Sequence, residues 1–281
     1  MISLLSGDRP RSAVLSVILL AILVVLAAAP FAFPGAQALN TAAKICVFVI
    51  LVASYDLLIG YTGIVSFAHT MFYGIGGYGV GLALYGWGAT WVSVFGGLAL
   101  ALGLGIVLAL AIGLFSLRVQ AIFFAMITLA VASAFAILAS QLSGFTGGED
   151  GRSFRVPPEL RPAFKLFEEP VLGLDITGKV LTYYILFATA LALFLLALRV
   201  VNSPFGSVLK AIRENDFRTE ALGYRTVVFR TKVNCLAAAM AVVAGGLNAL
   251  WLRYTGPDTT LSFTIMLDIL LMVVIGGMGT L

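Results

Sequence analysis

The sequence predicts an all-α protein that crosses a lipid bilayer many times. Three observations carry that expectation. Of 281 residues, 61% are hydrophobic and only 11% are charged, outside the range of soluble globular chains. The apolar residues are gathered into runs of about 20, the length a helix needs to span the hydrocarbon. Lys and Arg collect beside these runs, so the net charge of +4 concerns membrane orientation. Basic and aromatic residues do not interleave as a strand-binding surface requires, and no nucleic-acid partner is expected.

In chain order, Arg9 and Arg11 precede an apolar run at 13–29 that ends before Pro30. It is read as an uncleaved first helix with a cytoplasmic amino terminus, a cleaved signal peptide being the alternative. A second span is expected at about 42–59, with Asp56 near its far end. Residues 63–88 hold five closely spaced glycines, Gly74, Gly76, Gly77, Gly79 and Gly81, and the single histidine, His69. Glycine at this density allows close helix approach or a broken re-entrant helix; a full crossing keeps the charge cues on one side. Spans at about 92–117 and 121–142 follow, joined at a basic turn at Arg118. The 143–179 loop contains GGEDG and four prolines, carries no positive excess, and falls on the extracytoplasmic side. Spans near 180–198 and 233–252 flank a basic cytoplasmic segment at 199–232, and an eighth span starts near Phe263 and carries Asp268. The chain ends at Leu281 inside GGMGTL, read as the truncated end of a single transmembrane domain covering 1–281, whose intact form is expected to have ten spans. Cys46 and Cys235 lie in apolar runs and are assigned to packing.

The 203–225 stretch, SPFGSVLKAIRENDFRTEALGYR, is the polar element around which the spans are arranged. Ser203 before Pro204 makes a helix start. Phe205, Val208, Leu209 and Ile212 then form one apolar stripe at helical spacing. Asn215 or Asp216 offers a second cap, and Gly223 a left-handed stop. Segment 199–232 holds seven basic and three acidic side chains, which equals the whole chain's net charge of +4. Two short helices with a bend are expected, either resting at the lipid interface or docking a cytoplasmic partner.

Ionisable groups at membrane depth cost about 2.5–3.5 kcal/mol each, so His69, Asp56 and Asp268 each need an account. For His69 the choices are a hydrogen bond to a freed carbonyl at a glycine break or a place on a translocation path. Asp56 and Asp268 reach water at the ends of their spans or face the same path. Gly147, Gly148, Glu149, Asp150 and Gly151 make a turn-rich acidic cluster that is a solvated connector or a functional surface.

With these motifs in hand, the chain resembles permease subunits of ATP-binding cassette importers for branched-chain amino acids, of the LivM type. The likeness rests on GIVSFAHTMFYGIGGYGVGLAL, FTGGEDG, FGSVLKAIRENDFRTEALGYRTVVFRTKV and ILLMVVIGGMGTL. It implies that Ala211, Ile212, Arg213, Glu214, Asn215, Glu220, Ala221, Leu222 and Gly223 form a coupling site for an ATPase. His69, Ser66, Asp56 and Asp268 are the candidates along a translocation path, and the resemblance suggests Glu149, Asp150 and Arg152 as candidates for docking a binding protein. The implied partners are a second, LivH-like permease subunit, two ATP-binding subunits, an extracytoplasmic solute-binding protein and the lipid bilayer. No metal or cofactor is expected on this chain, ATP and Mg belonging to the partner subunits. The expected location is a bacterial or archaeal cytoplasmic membrane.

The chain lacks the G-x-x-x-x-G-K-[ST] pattern of nucleotide-binding loops, so hydrolysis is assigned to separate subunits. One histidine and two scattered aspartates supply neither a nucleophile and base nor a ligand set, and the chain is not expected to be an enzyme. Urea, amides or other amino acids are alternative cargoes, and a proton-coupled carrier using His69 and an aspartate is the alternative mechanism.

Overall fold

Nearly every apolar run forms a helix in the computed structural model, which describes residues 13–32, 35–116, 121–164 and 177–280. The long helices are α1 (Ala13–Ala32), α2 (Ala36–Thr62), α3 (His69–Gly86), α4 (Trp91–Ser116) and α5 (Ala121–Gln141). After the one-turn α6 (Ser143–Thr146) and the strand β1 (Arg152–Ser153) come α7 (Gly178–Val201), the short pair α8 (Pro204–Glu214) and α9 (Asp216–Ala221), and α10 (Thr226–Leu252). Strand β2 (Tyr254–Thr255), the single turn α11 (Pro257–Thr260) and α12 (Phe263–Gly276) complete the chain. The expectation of about eight spans becomes a count of six helical segments long and apolar enough to cross a membrane among the described residues: α2, α4, α5, α7, α10 and α11 with α12. Helix α1 offers a shorter apolar stretch, Val17–Ala32, and α3, continuous from His69 to Gly86, is made less apolar by its glycines, its tyrosines and His69. Arg9, Arg11 and the Arg118 turn lie outside the described residues, as does 165–176 of the long loop.

The core is α10 packed against α3, α4 and α2. Glycine makes this approach possible at two facing positions. A Cβ on Gly76 would collide with the Val242 carbonyl, and one on Gly245 would collide with the Tyr73 carbonyl. The glycine-rich stretch therefore serves close helix contact. It also contains a break: α2 stops at Gly63, in the left-handed region at φ 70°, with the Gly63 and Ile64 amides donating back to Ile59 and Leu58. Residues 63–68 are not helical, and two of their amides are satisfied by side-chain hydroxyls, as an apolar medium demands. The Phe67 amide donates to Thr128 Oγ1 on α5 at 3.0 Å, and the Ala68 amide to Ser66 Oγ at 3.4 Å.

Pro30 leaves the carbonyl four residues earlier, on Leu26, without its helical donor. The Tyr183 hydroxyl of α7 donates to that carbonyl at 2.6 Å, and Tyr184 donates to Ala27 at 3.0 Å, which fixes α1 to α7. At the end of the bundle bearing the long loop, β1 pairs antiparallel with β2, Arg152 opposite Thr255. Phe154, Val156 and Leu160 fold beneath it against Val80, Val94 and Leu250.

Candidate functional site

The 203–225 stretch forms the expected elements, and their packing decides what each residue offers. Ser203 caps α8 by accepting from the Gly206 amide at 3.4 Å, with Pro204 in the first turn. Asn215 caps α9 by accepting from the Arg218 amide at 2.9 Å, and Gly223 closes the turn at φ 92°. Leu209 and Ile212 are buried, and Phe205 stacks on Phe229 of α10 at 5.5 Å, so the apolar stripe is consumed against the helical bundle. The α9 turn is clamped to α10 as well: Arg230 pairs with Asp216 at 2.8 Å, and Thr226 donates to Glu220 at 2.6 Å.

Of the coupling candidates, Ile212 is interior and Arg213 points at the bundle. The Arg213 guanidinium donates to the Gly60 carbonyl in the last turn of α2. That carbonyl lacks an intrahelical donor and lies at the negative end of the helix dipole, where a cation is stabilising by about 0.3–1 kcal/mol. Four residues earlier, Asp56 is 4% exposed and accepts from the Gly279 amide at 2.9 Å. Gly279 has φ 78°, and a Cβ there would sit 2.7 Å from both Arg213 Nη1 and the Gly60 oxygen. One junction thus joins α8, the end of α2 and the turn after α12. Its members Gly60 and Gly279 were not legible as partners in the sequence, because they lie 153 and 66 positions from Arg213. Ala211, Glu214, Asn215, Glu220, Ala221, Leu222 and Gly223 lie at or toward the surface. The outward tip is apolar: Phe217 is 83% and Leu222 77% exposed, with Tyr224 beside them.

The four candidates for a translocation path do not form one cluster. His69, 1% exposed, lies 2.7 Å through Nε2 from Ser54 Oγ, and Tyr55 packs on its ring at 5.3 Å between centroids. Ser54 Oγ also lies 2.8 Å from the Leu51 carbonyl, so its hydroxyl bridges that carbonyl and the imidazole. Ser66 is buried at the break before α3. Asp56 belongs to the junction with Gly279. Asp268 is exposed on α12, among Leu267, Leu271 and Met272.

In the long loop Glu149 and Asp150 face outward. Arg152 instead donates to the Gly144 carbonyl at 2.6 Å and lies over the Tyr85 ring at 4.3 Å, and Tyr254 donates to the Asp150 carbonyl at 2.9 Å. The acidic turn is an ordered part of the fold.

Comparison with known proteins follows this geometry. The chain is similar to the "High-affinity branched-chain amino acid transport system permease protein LivM" of Escherichia coli K12 and of Salmonella typhimurium LT2, 27% identical to each over 281 residues. Those alignments cover 93% of this chain, which spans 63% of the length of either relative. It is also 35% identical over 74 residues to the "Probable branched-chain amino acid transport permease protein LivM" of Methanocaldococcus jannaschii, covering 26% of this chain and 21% of that one. No solved structure matches it. A family profile described as branched-chain amino acid transport system permease component matches residues 37–281, and with its multiple apolar helices the chain belongs to that family.

Proposed function

We propose that the chain is the membrane-spanning permease subunit of an ATP-driven importer for branched-chain amino acids, with 199–232 on the cytoplasmic side. The observation that carries this reading is the division of labour in the short helices. One face, through Leu209, Ile212 and Arg213, is fused to the spans, and the opposite tip, through Phe217 and Leu222, is free. An element built this way moves with α2 and presents an apolar knob to a partner, as a lever does. A second, LivH-like permease chain completes the path, two ATP-binding subunits supply ATP and Mg, and an extracytoplasmic binding protein delivers cargo near Glu149 and Asp150. Branched-chain amino acids are taken as cargo from the names of the relatives.

The test separates docking from transmission. Replacing Phe217 and Leu222 together by Asp is expected to release the ATPase subunits during co-purification, at unchanged membrane insertion. Arg213→Ala is expected to retain those subunits and lose at least tenfold of the ATPase stimulation by cargo-loaded binding protein, with Arg213→Lys intermediate. Retention of the ATPase by the double variant overturns the docking role, and normal stimulation in Arg213→Ala overturns the transmission role.

A further inference from the structure

Helix α12 is held in two different ways. Along its length it packs on α2 and α3 through one narrow face, burying Met266, Ile269 and Val273 and leaving Leu267, Leu271, Met272 and Ile275 exposed. At its end the chain makes a tight turn. Gly277 at φ 100° and Gly279 at φ 78° take backbone angles that glycine adopts without steric cost, and the Thr280 hydroxyl donates to the Gly277 carbonyl at 2.7 Å. The turn so shaped delivers the Gly279 amide to Asp56 Oδ1 on α2.

This turn is pressed against the last turn of α2 and against α8 at once. A Cβ on Gly60 would collide with Asp56 Oδ1 and with the Gly279 amide, and one on Gly279 with the Gly60 carbonyl and the Arg213 guanidinium. Glycine at 60 and at 279 is what lets the two backbones and the arginine meet. Asp56 and Arg213 do not form a direct ion pair; among the described residues the only one is Arg230 with Asp216. The guanidinium holds the Gly60 carbonyl, the carboxylate holds the Gly279 amide, and Gly279 lies between the two. A carboxylate accepting a backbone amide is a strong contact, and Asp56 makes this one almost out of reach of water.

The two helices joined here differ in how firmly the rest of the chain holds them. Most of α2 is buried, and most of the α11 and α12 span is not. A displacement of α8 delivered at this point meets a packed core in α2 and a loosely held helix in α12, so α12 yields first. We propose that Asp56 and Gly279 are positioning residues that make α12 the helix driven by α8. Arg213 brings α8 to the end of α2, and the bond from Gly279 to Asp56 keeps the α12 turn in the path of that movement. The inference rests on the importer reading and carries transmission past α2 to a second span.

The experiment uses the assembled transporter with Cys46 and Cys235 replaced by Ala and two spin labels, their separation read by pulsed electron paramagnetic resonance with and without trapped ATP. One label is at Leu110→Cys on α4 in every sample. Its partner is Ile275→Cys on α12 in one series and Ser207→Cys on α8 in the other; all three positions are exposed. Trapped ATP is expected to shift both distances. Asp56→Ala is expected to abolish the Ile275 shift and keep the Ser207 shift. Asp56→Asn, whose side-chain oxygen still accepts from the Gly279 amide, is expected to retain both. Gly279→Ala, a change outside the packed core, is expected to abolish the Ile275 shift as Asp56→Ala does. An Ile275 shift that survives either alanine variant, or that is lost equally in Asp56→Asn, overturns the proposal. A Ser207 distance indifferent to ATP removes the importer reading and the inference with it. A Ser207 shift without an Ile275 shift, with Asp56 and Gly279 intact, removes the inference alone.

Discussion

Two pairs of spans in this molecule share an apolar composition and differ in what they do with it. In α2 and α10, 72% and 61% of the most apolar stretch is buried within the chain, whereas in α5 and the α11 and α12 span the figures are 17% and 28%. The inner pair is packed into the bundle's core, where α10 is also joined to α3 by backbone contacts at Gly76 and Gly245, so the shape there is set internally. The outer pair leaves Ile122, Phe123, Leu138, Leu271 and Ile275 exposed and must be completed by lipid or another chain. Apolarity alone says that a helix enters the membrane; the placement of small residues says which helices form the fixed frame.

The comparison is broken most severely at the frame. Gly76→Val places side-chain atoms against the Val242 backbone, which cannot move aside as a side chain can. We expect it to destabilise by about 3 kcal/mol or more and to abolish a cooperative melt in detergent. Ala134→Val, on the exposed face of α5, is expected to leave the melt unchanged; equal effects would erase the distinction between the core around α10 and the outer spans. A smaller effect is expected at Asp268, an exposed carboxylate on an otherwise apolar helix face. Asp268→Leu is expected to leave the melting temperature of the isolated chain unchanged or slightly higher while reducing recovery of the assembled transporter several-fold. Unchanged recovery would mean that this face meets lipid alone. The smallest effect belongs to Arg253, a non-glycine residue at φ 56° where α10 ends. Arg253→Gly is expected to stabilise by about 1 kcal/mol by removing left-handed backbone strain, read as a melting temperature higher by a few degrees; a fall would show that the arginine side chain outweighs the strain.

Local signals were legible where the chemistry is local. The Ser203 and Asn215 caps, Pro204 in the first turn, the stripe from Phe205 to Ile212 and the Gly223 stop all follow from residues a few positions apart, and each is present. The seventh span was expected to start near Val233, but α10 begins at Thr226, since Arg230 and Lys232 sit on a helix extending past the apolar run. What the stripe packs against was not legible, nor was the inward turn of Arg213. Both depend on the end of α2 arriving beside α8, a consequence of how the whole bundle closes. Arg152 was legible as a charge in an acidic turn, but its stacking on Tyr85 needed α3 and β1 to meet.

The hydrogen bond between His69 and Ser54 bears on how transport can be energised. Hopping of protons along a chain of groups requires each member to pass on one proton as it takes up another. Here the sole imidazole shares Nε2 with the Ser54 hydroxyl, whose other neighbour is the Leu51 carbonyl, a group with no proton to hand further. The sequence ends there for a moving charge. A carrier driven by a proton gradient would have to break and remake this interior bond in every cycle, whereas a carrier driven by hydrolysis on another subunit can leave it intact as a rivet between α2 and α3.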